Sequence, residues 1–305
     1  MSEPQNIDVL AVGGIDVDLV LKVPELPSHD EKVLGEMVGW LPGGPVANFA
    51  CAASRLGLTV ASLANVGDDE GGRLIIEDFQ RYGVDTSLIE VRRNIQSPFT
   101  VILLDPSGEK AIVVVPTLKH EFSMEVVARV LPRTRILYTM PQEHDLFLKL
   151  AQLAHDHHAE VAIDVEPTVG AQRAALECLL KHTDIAGFNE DGFTAATGQS
   201  PSVEAARKLL DFGPHTVVVT RGAAGSLAVR RDEAAEQPGS KVPVVDTTGA
   251  GDTFNAAFVT ATLRGDPLAE RLRFANAAAA LSVTVLGPRG LLPVPAEVAA
   301  FLAQE

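Results

Sequence analysis

The strongest indication of how this chain folds lies in residues 245–257, which read Val-Asp-Thr-Thr-Gly-Ala-Gly-Asp-Thr-Phe-Asn-Ala-Ala. The valines within 242–245 predict a strand, and the apolar run at 254–263 predicts a helix. The small residues between them are therefore expected at a helix N-terminus. There, unpaired backbone N–H groups and the helix dipole favour the binding of an anion.

A carboxylate, Asp252, stands beside this predicted anion site. Glycines at 249 and 251 let an anion approach the backbone closely, but an acid would repel it. A carboxylate is nevertheless useful at such a site if it acts as the base that takes a proton from an attacking hydroxyl. The alternative is that Asp252 caps the helix, since aspartate is a favoured residue at that position.

The complete string from Asp246 to Phe254 resembles the signature of the ribokinase-like (PfkB) carbohydrate kinase family. The resemblance implies that Asp252 is the catalytic base and that the amides of Gly249, Ala250 and Gly251 hold the transferring phosphoryl group. It implies ATP and Mg²⁺ as cofactors and a sugar as substrate. The fold expected from it is a three-layer ribokinase-like α/β fold with a mainly parallel central sheet, plus a small β-sheet lid.

Composition limits the other classes of function. A chain of 305 residues with a net charge of −15 and no block of Lys or Arg lacks the basic face that a nucleic-acid surface needs. No apolar run reaches membrane length, and residues 1–6 do not form a signal peptide, so no membrane association and a cytoplasmic location are expected. Two cysteines are too few for a disulfide framework.

The remaining pattern alternates between strands and helices over one domain, 1–305. Strands are predicted at 7–12, 60–64, 136–139, 161–164, 185–188 and 217–220, and helices at 47–56, 72–82, 145–157, 171–180 and 203–212. Two regions break this alternation, because the strands predicted at 18–23 and 32–40, and those at 99–104 and 110–116, follow each other without a helix; together the four predict a small antiparallel sheet. The family has its lid over the sugar site there, at about 16–41 and 98–117. The lid is also the dimer contact in many members, which implies a homodimer.

Two motifs near the start match the sugar-binding positions of the family. In Gly13-Gly14-Ile15-Asp16-Val17-Asp18, the carboxylates of Asp16 and Asp18 suit sugar hydroxyls, because each accepts two hydrogen bonds. A dinucleotide fingerprint is disfavoured, because the third glycine is missing and no helix follows. The string at 41–48, Leu-Pro-Gly-Gly-Pro-Val-Ala-Asn, gives Gly43, Gly44 and Asn48 sugar-contacting positions. The alternatives are a polar strand edge for the aspartates and an internal helix cap for Asn48.

The second half of the chain carries the expected nucleotide site. Asn189 and Glu190 match the start of the family's Asn-x-x-Glu segment, which places Mg²⁺-bound water, although Gly192 stands where the family has its Glu. Either Glu190 or Asp191 substitutes for that Glu, or it is dispensable. ATP-binding positions by resemblance are Thr220, Gly222, Gly225 and Asn276. For Asn276, a place on the helix surface is the alternative.

Asp246 and Thr248 correspond to a monovalent-cation loop that some members have. Leu291 stands where a ligating serine occurs in such members, so activation by K⁺ is left open.

Departures from the ribokinase pattern narrow the choice of sugar substrate. Pro45 replaces the Lys of Gly-Gly-Lys-Gly-Ala-Asn, and Pro141 stands where ribokinases have a Glu. These changes, the Gly-Glu-Lys-Ala-Ile string at 108–112, Gly192 and the Gly-Pro-Arg-Gly string at 287–290 resemble the ketohexokinase and sulfofructose kinase branch. A ketose or ketose derivative is expected. For an anionic one, the candidate cationic contacts are Lys22, Arg93, Lys110 and Arg135. The alternatives are a ribokinase, a non-catalytic sensor of sugar or nucleotide, or a nucleoside kinase. A nucleoside kinase would need aromatic side chains to stack on the nucleobase, and Trp40 and Phe99 lie in the predicted lid.

Overall fold

The computed structural model describes residues 6–107, 109–118 and 121–304. Residues 1–5, on which the expectation about a signal peptide rests, and Gly108 of the 108–112 string lie outside this part. Within it, the strands form one sheet of nine and one sheet of four. No helix in it is long and apolar enough to span a bilayer.

The large sheet forms the centre of the molecule. Its strands are β1 (Ile7–Val12), β4 (Val60–Gly67), β5 (Ile89–Arg92), β8 (Thr134–Thr139), β9 (Glu160–Val165), β10 (Ile185–Asn189), β11 (Thr216–Thr220), β12 (Ser226–Val229) and β13 (Ala234–Gln237). Their spatial order is β13-β12-β11-β10-β9-β8-β1-β4-β5. In this spatial order, the seven strands from β11 to β5 pair in parallel, and β12 and β13 are added antiparallel at the β11 edge. The parallel strands therefore end at one common edge, where open α/β sheets bind their ligands.

The small sheet contains the predicted lid strands. They are β2 (Asp16–Lys22), β3 (Glu36–Gly43), β6 (Phe99–Leu104) and β7 (Lys110–Val115), in the order β3-β2-β6-β7. The outer pairs are antiparallel, as expected, whereas the central pair β2–β6 is parallel. β2 and β6 belong to two separate segments of the chain, so no hairpin turn connects them and requires them to be antiparallel.

Helices cover both faces of the large sheet, which confirms the three-layer prediction. They are α1 (Pro45–Arg55), α2 (Glu70–Arg81), α3 (Met124–Val130), α4 (His144–Asp156), α5 (Pro167–Gly170), α6 (Arg173–Leu180), α7 (Glu190–Thr197), α8 (Val203–Leu209), α9 (Ala250–Leu263), α10 (Leu268–Ser282) and α11 (Pro295–Leu302). Strand β1 shows how two cores arise. Val9 and Ala11 pack into the core formed with α1, α9 and α10, and Leu10 and Val12 into the opposite one, because successive side chains alternate between faces.

The expected strand at 242–245 is wrong, and this changes the approach to α9. The segment belongs to neither sheet and bends at Val245, whose N–H donates to the carbonyl of Val283 at 2.8 Å. Pro243 has no N–H to give to a ladder. The helix also begins at Ala250, four residues before the predicted start, so the glycine-rich string belongs to the helix itself.

Candidate active site

The start of α9 presents a group of free backbone donors. The residue before the helix is Gly249, in the left-handed conformation with φ of 75°, which is costly for residues with a side chain. Among the described residues, the N–H groups of Gly249, Gly251 and Asp252 meet no protein acceptor. The N–H of Ala250 donates to the carbonyl of Thr247 at 3.2 Å. Of the amides expected at 249–252, that of Ala250 is thus the one with an acceptor in the described part of the chain, and the contact of these amides with a phosphoryl group stays a prediction.

Asp252 is the third residue of α9 and not its cap, so the capping interpretation is wrong. Its Oδ2 accepts a hydrogen bond of 2.8 Å from Nδ2 of Asn48. Burial raises the pKa of Asp252 to about 7; the Asn48 bond and the charge of Arg289 act against this, and the charges of Asp164 and Glu166 add to it. A carboxyl whose pKa is near neutrality suits a general base.

Asp16 and Asp18 of β2 come together with Gly43, the last residue of β3. A Cβ on Gly43 would collide with both carboxylates, so the missing side chain makes room for them. Thr100 of β6 donates its hydroxyl to Asp18. Oδ1 of Asp16 is buried without a hydrogen-bond partner in the described part of the chain. A buried, unpaired acceptor of this kind is what a ligand hydroxyl would satisfy.

The two sugar-side carboxylates resist ionisation. Burial and the neighbouring charge of Asp18 raise the pKa of Asp16 to about 7, and Arg289 lowers it. Burial also raises the pKa of Asp18, opposed by the Thr100 hydrogen bond and the charges of Arg289 and Lys110. Arg289 is thus a shared counter-charge of this pocket.

Arg289 is the site residue that sequence reasoning missed. Its Nε donates to Oδ1 of Asn48 at 2.9 Å and its Nη2 to the carbonyl of Gly43 at 2.9 Å. Its Nη1 pairs with Asp78 of α2, and the Arg289 side chain is only 7% exposed. The sequence signal was one basic residue in a Gly-Pro-Arg-Gly turn, which does not say where its side chain points.

Asn48 therefore has a role that neither expectation described. It lies inside α1, whose cap is Gly44, so the internal-cap alternative is wrong. Both ends of its amide are engaged, one by Asp252 and the other by Arg289. Its direct contact with a sugar stays a prediction, as does that of Gly44.

The expected nucleotide segments are neighbours at the same sheet edge. Asn189 of β10 and Thr220 of β11 are register partners. The Thr220 segment continues into a tight turn, in which Arg221 N–H donates to the carbonyl of Gly225 at 2.7 Å, and Gly222 begins the short 3₁₀ helix inside it. The ATP contacts of these residues remain predictions.

The structure explains why Gly192 replaces the family's Glu. Asn189 caps α7 by accepting from Gly192 N–H at 2.6 Å. A Cβ on Gly192 would collide with the carbonyl of Val165, so no side chain fits here unless the end of β9 moves. Because the end of β9 lies this close to Gly192, the next residue, Glu166, lies beside the first turn of α7, where Glu190 is exposed.

Asn276 is not the helix-surface residue of the alternative interpretation. It is 8% exposed. Its Oδ1 accepts from the hydroxyl of Ser226 at 2.9 Å, and its Nδ2 donates to the carbonyls of Gln237 and Pro238 at 3.2 and 3.0 Å. These bonds tie α10 to the antiparallel edge of the large sheet, so both of its amide N–H groups are used within the protein. The adenine contact stays a prediction.

The expected cation loop is closed by hydrogen bonds. Asp246 Oδ1 accepts from the N–H and hydroxyl of Thr248 at 2.9 and 2.7 Å, and Oδ2 accepts from Gly287 N–H at 2.9 Å. Burial pushes the pKa of Asp246 up, but these bonds and the charge of Lys110 outweigh it and lower the pKa. Lys110 of the lid donates to the Thr248 hydroxyl at 3.1 Å. Of the basic residues considered, Lys110 thus reaches the site, whereas Arg135 pairs with Asp8.

The donor set fits Mg²⁺ bound with a nucleotide. No cluster of three or more His, Cys, Asp or Glu side chains suited to a metal occurs within the described ranges. Mg²⁺ does not need one, since it is commonly bound by one or two carboxylates together with phosphate oxygens and water. Glu190 and Glu166 provide carboxylates of that kind on adjoining segments.

Comparison with known proteins identifies the family of the chain. The model of the pfkB family of carbohydrate kinases matches residues 6–295. A ribokinase of Haemophilus influenzae is 32% identical over 300 residues, covering 95% of this chain and 97% of its own, and one of Bacillus subtilis is 29% identical, covering 97% and 99%. Arabidopsis thaliana ribokinase, solved with ribose and ATP, superimposes with a TM-score of 0.87 at 27% identity, covering 98% of this chain and 99% of its own.

Proposed function

Since the chain belongs to the pfkB family of carbohydrate kinases, we propose that it transfers the γ-phosphate of ATP to a primary hydroxyl of a neutral monosaccharide. Enzymes of this family are phosphotransferases that act on a hydroxyl group and use ATP with Mg²⁺. The observation that carries the proposal is a carboxyl with a pKa near 7 beside three free N–H groups at one helix start.

In the proposed mechanism Asp252 is the base. Asn48 holds Oδ2, so Oδ1 is left to take the proton of the sugar hydroxyl. As that O–H bond breaks, the sugar oxygen bonds to the γ-phosphorus, and the bond from this phosphorus to the bridging oxygen of ADP breaks. The N–H groups of Gly249, Gly251 and Asp252 stabilise the charge on the phosphoryl oxygens.

Mg²⁺, held by Glu190 and Glu166 through water, would neutralise charge on the β- and γ-phosphate oxygens. Glu166 is proposed here because Gly192 has no side chain to offer and a Cβ there would collide with the backbone of β9.

The charges on the sugar side favour a neutral substrate. Asp16 and Asp18 present two carboxylates, and the guanidinium facing them, Arg289, is already bonded to Asp78. An anionic group at this wall would face two acidic groups whose ionisation burial already disfavours, and it would repel their charged forms in a partly buried pocket where screening is weak. Phosphorylated and sulfonated sugars are therefore expected to be poor substrates.

Two neutral substrates remain, each favoured by one observation. A ketose is favoured by Pro45, Pro141 and Gly192, which depart from the ribokinase pattern. Ribose is favoured by the names of the relatives reported above. A nucleoside is less favoured, because Trp40 and Phe99 pack edge-to-face against each other at 6.0 Å.

Dimerisation through the lid is part of the proposal. Apolar side chains of its two outer strands are exposed, among them Met37, Trp40, Ile112 and Val114, which is unusual for a surface without a partner. Sedimentation equilibrium of the wild-type chain and of Ile112→Lys measures this directly. A wild-type monomer at micromolar concentration would refute it.

The test of function is ADP release with Mg-ATP, with and without K⁺, over a panel of sugars. The panel contains fructose, tagatose, fructose-6-phosphate, sulfofructose, ribose, 2-keto-3-deoxygluconate and adenosine. Asp252→Ala should lower turnover by about 10²–10⁴-fold and leave ATP binding unchanged, because the free N–H groups belong to the backbone. Comparable turnover in this variant refutes the assignment of the base, and ATP binding without ADP release on any compound favours a sensor.

A further inference from the structure

Arg289 links the two halves of the active site, although it comes from a loop near the end of the chain. One guanidinium contacts the carbonyl of Gly43 on the sugar side and the amide of Asn48 on the side of the base. Asp78 of α2 pairs with its remaining arm. The loop is anchored from behind by the hydroxyl of Tyr82, which donates to the carbonyl of Arg289 at 3.1 Å. Arg289 is therefore held from several directions.

The chemistry of the guanidinium decides how Asn48 is oriented. A guanidinium only donates hydrogen bonds, so the amide of Asn48 must turn its oxygen toward Arg289. Its NH₂ group must then face Asp252, where it donates at 2.8 Å. Without Arg289, the amide is free to turn its oxygen toward Asp252 and to accept a hydrogen bond from the protonated carboxyl, which would stabilise the form that cannot act as a base.

The groups facing Asp252 otherwise work against its ionisation. From β9 and the residue that follows it come the charges of Asp164 and Glu166, and both raise its pKa. Tyr138 of β8 is buried nearby and neutral, since burial holds its pKa well above the usual range. Asn48 and Arg289 are the two groups that lower the pKa of Asp252. A base needed as a carboxylate therefore depends on this pair.

We propose that Arg289 is a positioning residue of the reaction: it fixes the amide of Asn48 so that Asp252 is held as an oriented carboxylate beside the sugar. The inference rests on the proposed role of Asp252 as the base. It adds a residue 37 positions further along the chain, on an element that carries none of the predicted catalytic groups.

The test is the pH profile of kcat/KM for Arg289→Met on the sugar identified by the panel. Loss of the guanidinium should move the acid limb upward by about one pH unit, which is a tenfold loss of kcat/KM below the limb, with recovery above pH 8. The matched control is Arg55→Met. Arg55 donates to the carbonyl of Leu292 in the same loop at 3.2 Å but does not touch Asn48, so its profile should keep the wild-type limb.

A purely structural role would give a different result. It would lower kcat/KM by the same factor at every pH, and an unmoved acid limb in Arg289→Met overturns the inference. If that variant does not fold, Arg289→Lys is used, because lysine keeps the charge but cannot contact Gly43, Asn48 and Asp78 at once. Its limb should move in the same direction by a smaller amount, and an unmoved limb again overturns the inference.

Failure of the inference and failure of the proposed function are distinguishable. If Asp252→Ala is inactive and Arg289→Met keeps the wild-type limb, the base stands and the inference fails. If Asp252→Ala keeps its turnover, the assignment of the base is wrong, and the inference fails with it.

Discussion

The acid limb of catalysis in the wild-type enzyme is expected near pH 7, far above the range of an ordinary aspartate. The perturbation is pH itself, and the group that responds is Asp252. Burial is the main cause of its raised pKa of about 7, compared with 3.8 for an exposed aspartate. The proton must be absent for Asp252 to act as base, so activity is lost as the pH falls through 7.

The size of the effect follows from the titration of a single group. At one pH unit below the pKa, about one carboxyl in ten is ionised, so kcat/KM at pH 6 should be about a tenth of its plateau at high pH. The logarithm of kcat/KM should fall with a slope of one. An aspartate with a pKa of 3.8 would give no change between pH 6 and pH 8.

The assay is initial-rate ADP release at saturating Mg-ATP between pH 5 and pH 9. Asp16→Asn serves as the control, because burial also raises the pKa of Asp16 to about 7. We expect this variant to bind sugar less tightly and to keep the position and slope of the limb. A flat wild-type profile between pH 6 and pH 8 would refute the reasoning from burial. If the acid limb disappears in Asp16→Asn, the titrating group is Asp16 and not Asp252.

Three further predictions concern the surroundings of the base. Gly43→Ala places a Cβ against the carboxylates of Asp16 and Asp18, so the KM for sugar should rise at least about tenfold while the KM for ATP is unchanged in the same rate assay. Asp164 has its pKa raised to about 7, mainly by burial and then by Glu166, so the folded state loses stability as the pH rises from about 4 to 7. Asp164→Asn has no such charge to bury. The Tm of this variant minus the Tm of the wild type, measured by calorimetry, should therefore be at least about 2 °C higher at pH 8 than at pH 5. The same Tm difference at both pH values would contradict this. Glu166→Gln should raise the free Mg²⁺ needed for half-maximal rate about tenfold, and an unchanged requirement would remove Glu166 from the metal site.

Much of the fold could be predicted from the sequence because its signals are local. Buried strands such as Ile7–Val12 are apolar apart from Asp8, and the lid strands form two pairs, β2 with β3 and β6 with β7, with no helix inside either pair. The predictions failed where a local rule met a competing one. The valines at 242–245 favour a strand, but Pro243 removes a ladder donor. The expected start of α9 was late because Gly249 begins the helix from a left-handed conformation, which no hydrophobic pattern records.

The sequence by itself determined the alternating architecture and the family resemblance, and this resemblance predicted Asp16, Asp18, Gly43 and Asp252 as site residues because each lies in a short motif. Only the tertiary structure decided which groups control that chemistry. Arg289 reaches Asn48 across 241 positions of sequence, a contact that exists because α9 packs against both α1 and α10, and the C-terminal loop follows α10. The pKa of Asp252 likewise depends on burial and on charges from β9. Burial and long-range charge are properties of the packed chain, and no motif contains them.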